Sequence, residues 1–162
     1  AKSTKYPTIE SNSIEVTVKA ASAQKVTYSF ADMNGFSTWG NSYTSHESST
    51  DYFQITLSNA SRQTGTITNT PVCKGGEITV VAKNNKLFTK TSWNFIQWTN
   101  KTQTITVSVS KDGGGSYTAL SPKYSNFSVP EIDLESGVNA IKISFSNASN
   151  NIGVESATFT II

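Results

Sequence analysis

The segment QTITVSVSKDGGGSYT, residues 103–118, joins an alternating run to a turn signal. Apolar and polar residues alternate as far as Ser110, which is typical of a strand with one buried and one solvated face. Asp112 and the glycines that follow favour a tight turn, because an aspartate side chain can bond its own backbone and glycine accepts positive φ. The segment therefore predicts a strand that ends in a turn.

The same alternation recurs along the chain, and helical spacing does not. Nine alternating segments with turn residues between them predict an all-β protein, a single antiparallel β-sandwich of jelly-roll type. We expect residues 25–162 to form this domain and residues 1–24 to be an N-terminal linker that contains a candidate edge strand. The predicted strands are residues 14–19, 26–30, 52–57, 65–69, 77–82, 92–98, 103–110, 140–145 and 157–162.

The breaks between the predicted strands carry turn signals. Lys74-Gly75-Gly76 and Asn84-Asn85 are predicted to be tight hairpin turns, because glycine and asparagine tolerate positive φ. One helical turn is predicted after Pro130, at residues 131–134. Residues 31–51 show no sustained alternation, and an interval of that length is typical of a functional loop or of irregular strands.

Composition excludes several classes of protein. With 162 residues, 36% of them hydrophobic and 15% charged, the chain is expected to be one ordinary domain, neither charge-rich and disordered nor embedded in a membrane. The basic residues are scattered, and Arg62 is the only arginine, so no nucleic-acid partner is expected. No apolar run approaches the ~20 residues that span a bilayer, so no membrane insertion is expected.

The chemistry-bearing residues give little support to catalysis. Cys73 is the only cysteine, so an intramolecular disulfide is excluded, and a buried structural thiol is a better interpretation than a nucleophile paired with His46. The sequence has no G-x-S-x-G motif, no histidine pair for zinc and no phosphate-binding loop. We therefore expect a protein that is not an enzyme. A small glycan-active enzyme with a carboxylate pair stays open as an alternative.

Two motifs suggest a family. Ser-x-Asp-Gly-Gly at residues 110–114 is followed by an aromatic residue, and Ile-Gly-Val-Glu at residues 152–155 precedes the last predicted strand. These motifs resemble those of galactose-binding-like (discoidin-like) jelly rolls over about residues 25–162. The overall character of the sequence is similar to that of β-sandwich modules in secreted and surface proteins of gut Bacteroidetes. The resemblance implies a secreted or cell-surface module of a Gram-negative bacterium that is part of a larger multidomain protein.

The resemblance also implies a candidate metal site. Many domains of that fold hold a structural calcium ion near their first and last strands, and Asp32 and Glu155 occupy comparable positions here. Calcium takes six to eight oxygen ligands, which two carboxylates and backbone carbonyls could supply. The sequence has no Asp-x-Asp loop at either position. Two solvated charges at strand ends therefore stay open as the alternative.

The segment SWNFIQWTNK, residues 92–101, carries two of the three tryptophans. On a strand, Trp93 and Phe95 share one side and Trp98 takes the other, unless a bulge near Phe95 changes the register. We therefore predict that Trp93 and Phe95 lie in the core and that Trp98 lies at the surface, close to Lys101. An exposed indole offers a flat apolar face to the C–H groups of a sugar ring.

Residues 38–46 suggest a second aromatic platform. Trp39, Tyr43 and His46 are close together in sequence, and Arg62 lies at the next strand junction. Rings, amides and cations of this kind are typical of carbohydrate-binding loops. The predicted function is non-catalytic binding of a glycan or cell-surface polysaccharide. In the alternative, the aromatic residues are all core, and the domain is a structural spacer or a protein-adhesion module.

Overall fold

The computed structural model describes residues 22–33, 43–62, 70–97, 102–147 and 151–162. Eleven strands, all paired antiparallel, and one 3-10 turn at Phe30–Asp32 occupy most of these residues, so the predicted all-β antiparallel β-sandwich is confirmed. Within these ranges no helix is long and apolar enough to cross a bilayer. The strands are β1 Gln24–Ser29, β2 Thr44–Ser49, β3 Phe53–Arg62, β4 Pro71–Lys74, β5 Glu77–Ala82, β6 Phe88–Gln97, β7 Ile105–Ser110, β8 Thr118–Ala119, β9 Ser128–Asp133, β10 Ala140–Phe145 and β11 Asn151–Ile161.

The sheet doubles over into two layers. The first layer runs in the order β8-β7-β10-β5-β3, with β2 on the other side of β3. The second contains β11, β6 and β9, with β1 also paired to β11. Strand β4 links the layers because it pairs with both β3 and β11. The inner faces of the layers meet in one core, where the rings of Phe53 and Phe159 lie 4.9 Å apart.

Aromatic residues of β6 lie in this core, as predicted. Trp93 and Phe95 are both buried, and their parallel rings are 6.1 Å apart. The alternation of burial along β6 ends after Phe95, because Gln97, which would be the next inward residue, is exposed. The bulge considered near Phe95 is found instead on the neighbouring strand β11, where the register shifts at Glu155. Trp98 lies outside the described residues.

The prediction of a hairpin at Lys74-Gly75-Gly76 is wrong. Strands β4 and β5 follow one another along the same side of β3, and the glycines form a bulge between them. Gly75, with φ 59°, and Asn59 of β3, with φ 49°, both take the left-handed conformation. The positive φ signal is therefore correct, but it belongs to a bulge at which the sheet passes from one layer to the other.

The turn at Asn84-Asn85 is confirmed in conformation and differs in role. Both asparagines have positive φ, 56° and 57°, and the amide of Lys86 donates to the carbonyl of Lys83 at 3.1 Å. The strands on either side, β5 and β6, lie in different layers and do not pair. The turn therefore crosses the end of the sandwich and does not close a hairpin.

Two segments in which apolar and polar residues do not clearly alternate also contain strands. Residues 131–134 were predicted to be a helical turn, which is wrong, because β9 pairs with β6 and places Val129 opposite Trp93. The register shift leaves an extra residue in β9 at Pro130, which forms a bulge. Proline is tolerated there, because no ladder hydrogen bond requires the N–H that it lacks. Within the unpatterned residues 31–51 lies the polar strand β2. The predicted strands at 14–19 and 65–69, like most of the predicted linker, lie outside the described residues.

The turn after β7 has the local chemistry that its sequence predicts. Asp112 Oδ1 accepts hydrogen bonds from Ser110 Oγ at 2.5 Å and from the Ser116 amide at 3.0 Å, and Oδ2 accepts one from Ser116 Oγ at 2.8 Å. Gly113 and Gly114 have φ of 74° and 97°. The turn leads into β8, which pairs with β7 as the second strand of the hairpin.

The donors around Asp112 predict a measurable pH dependence of folding. Hydrogen bonds from Ser110 and Ser116 hold the pKa of Asp112 well below its ordinary value of 3.8. A carboxyl whose pKa is lowered by folding stabilises the protein above about pH 4, and that contribution is lost as the pH falls through the folded-state pKa. We expect Asp112→Asn to be less stable than the wild type at pH 7, with the difference shrinking towards pH 2.

Urea denaturation at a series of pH values measures this difference. Asp51→Asn, which removes a carboxylate from another turn at the same end of the sandwich, serves as the control. A stability gap between the wild type and Asp112→Asn that is the same at pH 7 and at pH 2.5 would show that the hydrogen bonds do not depend on the charge of Asp112.

Candidate functional site

One end of the sandwich gathers the chain segments that flank the predicted binding residues. We call it the loop end, and it is marked by Lys74, Gln97, Ile105, Phe145 and Asn151. Strands β4, β6 and β10 end here, and β7 and β11 begin here. The register pairs Asn151 with Lys74, places Gln97 opposite the next residue of β11, and pairs Phe145 with Ile105.

Tyr43 lies at the loop end, directly before β2. Its hydroxyl donates to Asn151 Oδ1 at 3.3 Å, and Lys74 Nζ lies 5.5 Å from the centre of its ring. An ammonium over a ring face is a stabilising cation–π contact. The ring is half-buried, and Lys74 is exposed. A phenol ring, an ammonium and an amide from three separate parts of the chain therefore meet at one surface.

His46 is close to this surface but is held within its own strand. It lies opposite Leu57 of β3, and its Nε2 shares a hydrogen bond of 3.0 Å with Thr44 Oγ1. The register shifts between Thr44 and His46, so the two side chains can meet although they are only two residues apart. Tyr43, directly before β2, and His46, within β2, are therefore neighbours along the chain, and the binding role of both stays a prediction.

The other predicted binding residues are placed only in part. Arg62 is the last residue of β3, and its backbone pairs with Pro71. Trp39, Trp98 and Lys101 lie outside the described residues. The segments that contain them join described residues at the loop end, because residue 42 precedes Tyr43 and residue 98 follows Gln97.

Sequence reasoning missed the buried amide that fixes this end of the first layer. Gln103 is 2% exposed, and its Oε1 accepts from the Asn147 amide at 2.9 Å and from Ser146 Oγ at 3.2 Å. Its Nε2 donates to the Asn147 carbonyl at 3.3 Å. Gln103 therefore ties the start of β7 to the end of β10. The sequence signal was the position of Gln103. It falls in the same alternation as the inward-facing residues of β7, but it is polar where they are apolar.

The two carboxylates assigned to calcium lie on neighbouring elements. Asp32 ends the 3-10 turn that follows β1, and Ser29 of β1 pairs with Ser156, next to Glu155. Glu155 is exposed at the bulge of β11. Over the described ranges, no group of three or more His, Cys, Asp or Glu residues could hold a metal ion. The calcium site stays a prediction.

The single cysteine is placed in the core. Cys73 is fully buried in β4, opposite Ala60 and Ile152, and the prediction of a buried thiol is confirmed. Burial raises the pKa of this thiol to about 12. Because the thiolate is the nucleophile, a group that stays protonated in the core does not suit covalent catalysis.

Sequence reasoning also missed a charged cluster on the outer face of the first layer. Lys142 Nζ lies 4.8 Å from the centre of the Tyr117 ring and 3.3 Å from Glu77 Oε1. Burial, with the charges of Glu77 and Asp112, raises the pKa of Tyr117. Lys142 is therefore already neutralised by a carboxylate. Lys74 differs, because no carboxylate among the described residues forms an ion pair with it.

At the opposite end of the sandwich lies a small surface groove of about 280 Å³. Its walls include Ser116 and Thr118, and the ion pair of Lys111 with Glu135, 2.8 Å long, crosses its rim. No aromatic ring lines the groove. It therefore lacks the apolar plane that the loop end offers.

Comparisons with known proteins find similarity in structure only. A solved structure described as a carbohydrate-binding module of family 29 has a TM-score of 0.44 and 11% sequence identity, over 86% of this chain and 90% of that one. A variant of a family 29 module, from work on its ligand recognition, has a TM-score of 0.41 and 11% identity, over 85% and 93%. No protein-family model and no curated protein matches the sequence. The discoidin-like class stays a prediction.

Proposed function

We propose that this chain is a non-catalytic carbohydrate-binding domain and that the loop end binds the glycan. The observation that carries the proposal is the convergence of the Tyr43 ring, the Lys74 ammonium and the Asn151 amide on one surface. We further propose that the domain works on the cell surface or after secretion, within a larger protein. Its composition, rich in hydroxyl and amide side chains and only 15% charged, supports that location.

The three side chains suit the two kinds of surface that a pyranose presents. The flat face of a sugar ring is lined with C–H groups and packs on an aromatic ring, which aligns the sugar without fixing its identity. Its edge carries hydroxyls, which accept from an ammonium and exchange hydrogen bonds with an amide. Lys74 and Asn151 supply those groups beside Tyr43, so one sugar unit could engage all three.

The described part of the loop end supports binding over hydrolysis. A glycosidase needs two carboxylates about 5 to 10 Å apart on either side of the bond that it cleaves. Within the described ranges, the carboxylate nearest to the loop end in the first layer is Glu77, and it is paired with Lys142. The groups beside Tyr43 are the ammonium of Lys74 and the amide of Asn151, and neither is a carboxylate.

We expect Tyr43→Ala to weaken glycan binding at least about tenfold, because ring packing of this kind contributes about 1.4 kcal/mol. A glycan array with the purified domain, run with and without calcium, identifies the ligand, and calorimetry on the best glycan measures the loss. The matched control is Tyr52→Ala at the opposite end, where Lys86 Nζ lies 5.7 Å from the ring centre.

The outcomes separate binding from a structural role. Retained affinity in Tyr52→Ala, with native far-ultraviolet circular dichroism in both variants, supports a site at Tyr43. Equal losses in the two variants would contradict that site. No binding across a broad array would contradict the proposed function and favour a spacer or an adhesion module. Loss of binding without calcium would support the predicted metal.

A further inference from the structure

The lysines of the described chain fall into two groups. Four of them form ion pairs with a carboxylate, at 2.8 to 3.4 Å: Lys25, Lys90, Lys111 and Lys142. The other four, Lys74, Lys83, Lys86 and Lys123, have no such partner in the described ranges, and Lys74 is held over the Tyr43 ring. A ring face offers an ammonium only a partial negative charge, so the full positive charge of Lys74 is left to act on a ligand.

Sequence adds positive charge and no negative charge at this end. The described residues that join strands there are 102–104, 120–127 and 146–147, and they contain Lys123 and no aspartate or glutamate. The segment 120–127 is tied to the loop end by the pairing of Tyr124 with Ile105. The turns at the opposite end carry Asp51, Asp112 and Glu135 together with Lys83, Lys86 and Lys111, so their formal charges cancel.

The carboxylates nearest to Tyr43, Lys74 and Asn151 do not cancel this charge. Glu77 is neutralised by Lys142 at 3.3 Å. Glu47 and Glu155 are each four residues away in sequence, from Tyr43 and from Asn151 respectively, and neither forms an ion pair with Lys74. Among the described residues, the charge that a ligand at Tyr43 meets first is therefore that of Lys74.

We infer that the loop end selects anionic glycans, whose sugars carry carboxylate or sulfate groups, over neutral glycans of the same backbone. This inference rests on the proposed glycan-binding function. The anionic group binds the Lys74 ammonium, the sugar ring packs on Tyr43, and Asn151 bonds a neighbouring hydroxyl. A charge-assisted hydrogen bond is shorter and about twice as strong as a neutral one, so the charged substituent decides between otherwise equal sugars.

The test compares two forms of one polymer. Polygalacturonate and its methyl-esterified form share a backbone and differ in charge, as do sulfated and unsulfated dextran. We expect the wild type to prefer the charged form at least about tenfold at 50 mM NaCl, with the preference falling at 200 mM. In Lys74→Gln the preference should drop to about threefold or less, because the charged polymer loses more affinity than the esterified one.

The matched control is Lys86→Gln, which removes the ammonium over Tyr52 and should keep the wild-type preference. Equal binding of charged and uncharged polymers by the wild type would overturn the inference and leave the proposed function intact. No binding to any glycan of the array, with these polymers included, would overturn both the inference and the proposed function. An oligothymidylate that binds as tightly as polygalacturonate would overturn it in favour of general polyanion binding.

Discussion

Gly76→Ala is expected to destabilise the fold by at least about 3 kcal/mol, because the added methyl group has no space. A Cβ at this position would lie 1.9 Å from the backbone carbonyl oxygen of Ser58, and backbone cannot swing aside as a side chain can. Relieving the clash would separate β3 from the bulge. That movement would break the hydrogen bond of 2.7 Å from the Glu77 amide to Ser58 Oγ.

Chemical denaturation followed by far-ultraviolet circular dichroism measures the loss. Gly113→Ala is the control, because Gly113, unlike Gly76, has a left-handed backbone, with φ 74°, and has nothing within 4 Å of its missing Cβ. That variant should lose only the conformational cost of about 1–2 kcal/mol. If Gly76→Ala is no less stable than Gly113→Ala, β3 and the bulge can separate freely, contrary to the structure.

The positions of strands follow from local alternation, and their partners do not. Residues 77–82 and 140–145 were predicted with the bounds that β5 and β10 have, because each strand has one buried face. The glycines of residues 75–76 show why pairing is harder to predict. Positive φ suits both a hairpin and a bulge, and the choice depends on where β3 and β11 lie, which no local pattern records.

Of the three residues of the candidate site, the sequence identified only Tyr43. Tyr43 was identified as an aromatic group in an unpatterned segment, which is a local signal. Lys74 and Asn151 were not identified, because they reach Tyr43 only through the pairing of β4 with β11. A side chain gains binding significance from neighbours that are distant in sequence, here Lys74 at 31 residues and Asn151 at 108 residues from Tyr43. Such neighbours become visible only when the fold is known.

The second large effect is expected for Phe159→Ala, in the centre of the core. Phe159 is fully buried in β11, and its ring lies 4.9 Å from Phe53, 5.4 Å from Phe88 and 5.5 Å from Trp93. These neighbours belong to both layers, so no single strand can move inward to fill the space that the ring leaves. We expect a loss of about 4 kcal/mol, a large share of the 5–15 kcal/mol that is usual for a domain.

The matched control for Phe159→Ala is Phe145→Ala at the loop end. Phe145 is half-buried, and its ring contact is with Phe95 at 5.5 Å, so water can reach much of the space that the substitution opens. A cavity that fills with solvent costs less than a closed apolar one, so we expect a clearly smaller loss. Urea denaturation compares the two. Equal losses would mean that the layers do not share one closed core at Phe159, and the two-layer packing that positions Tyr43, Lys74 and Asn151 would need revision.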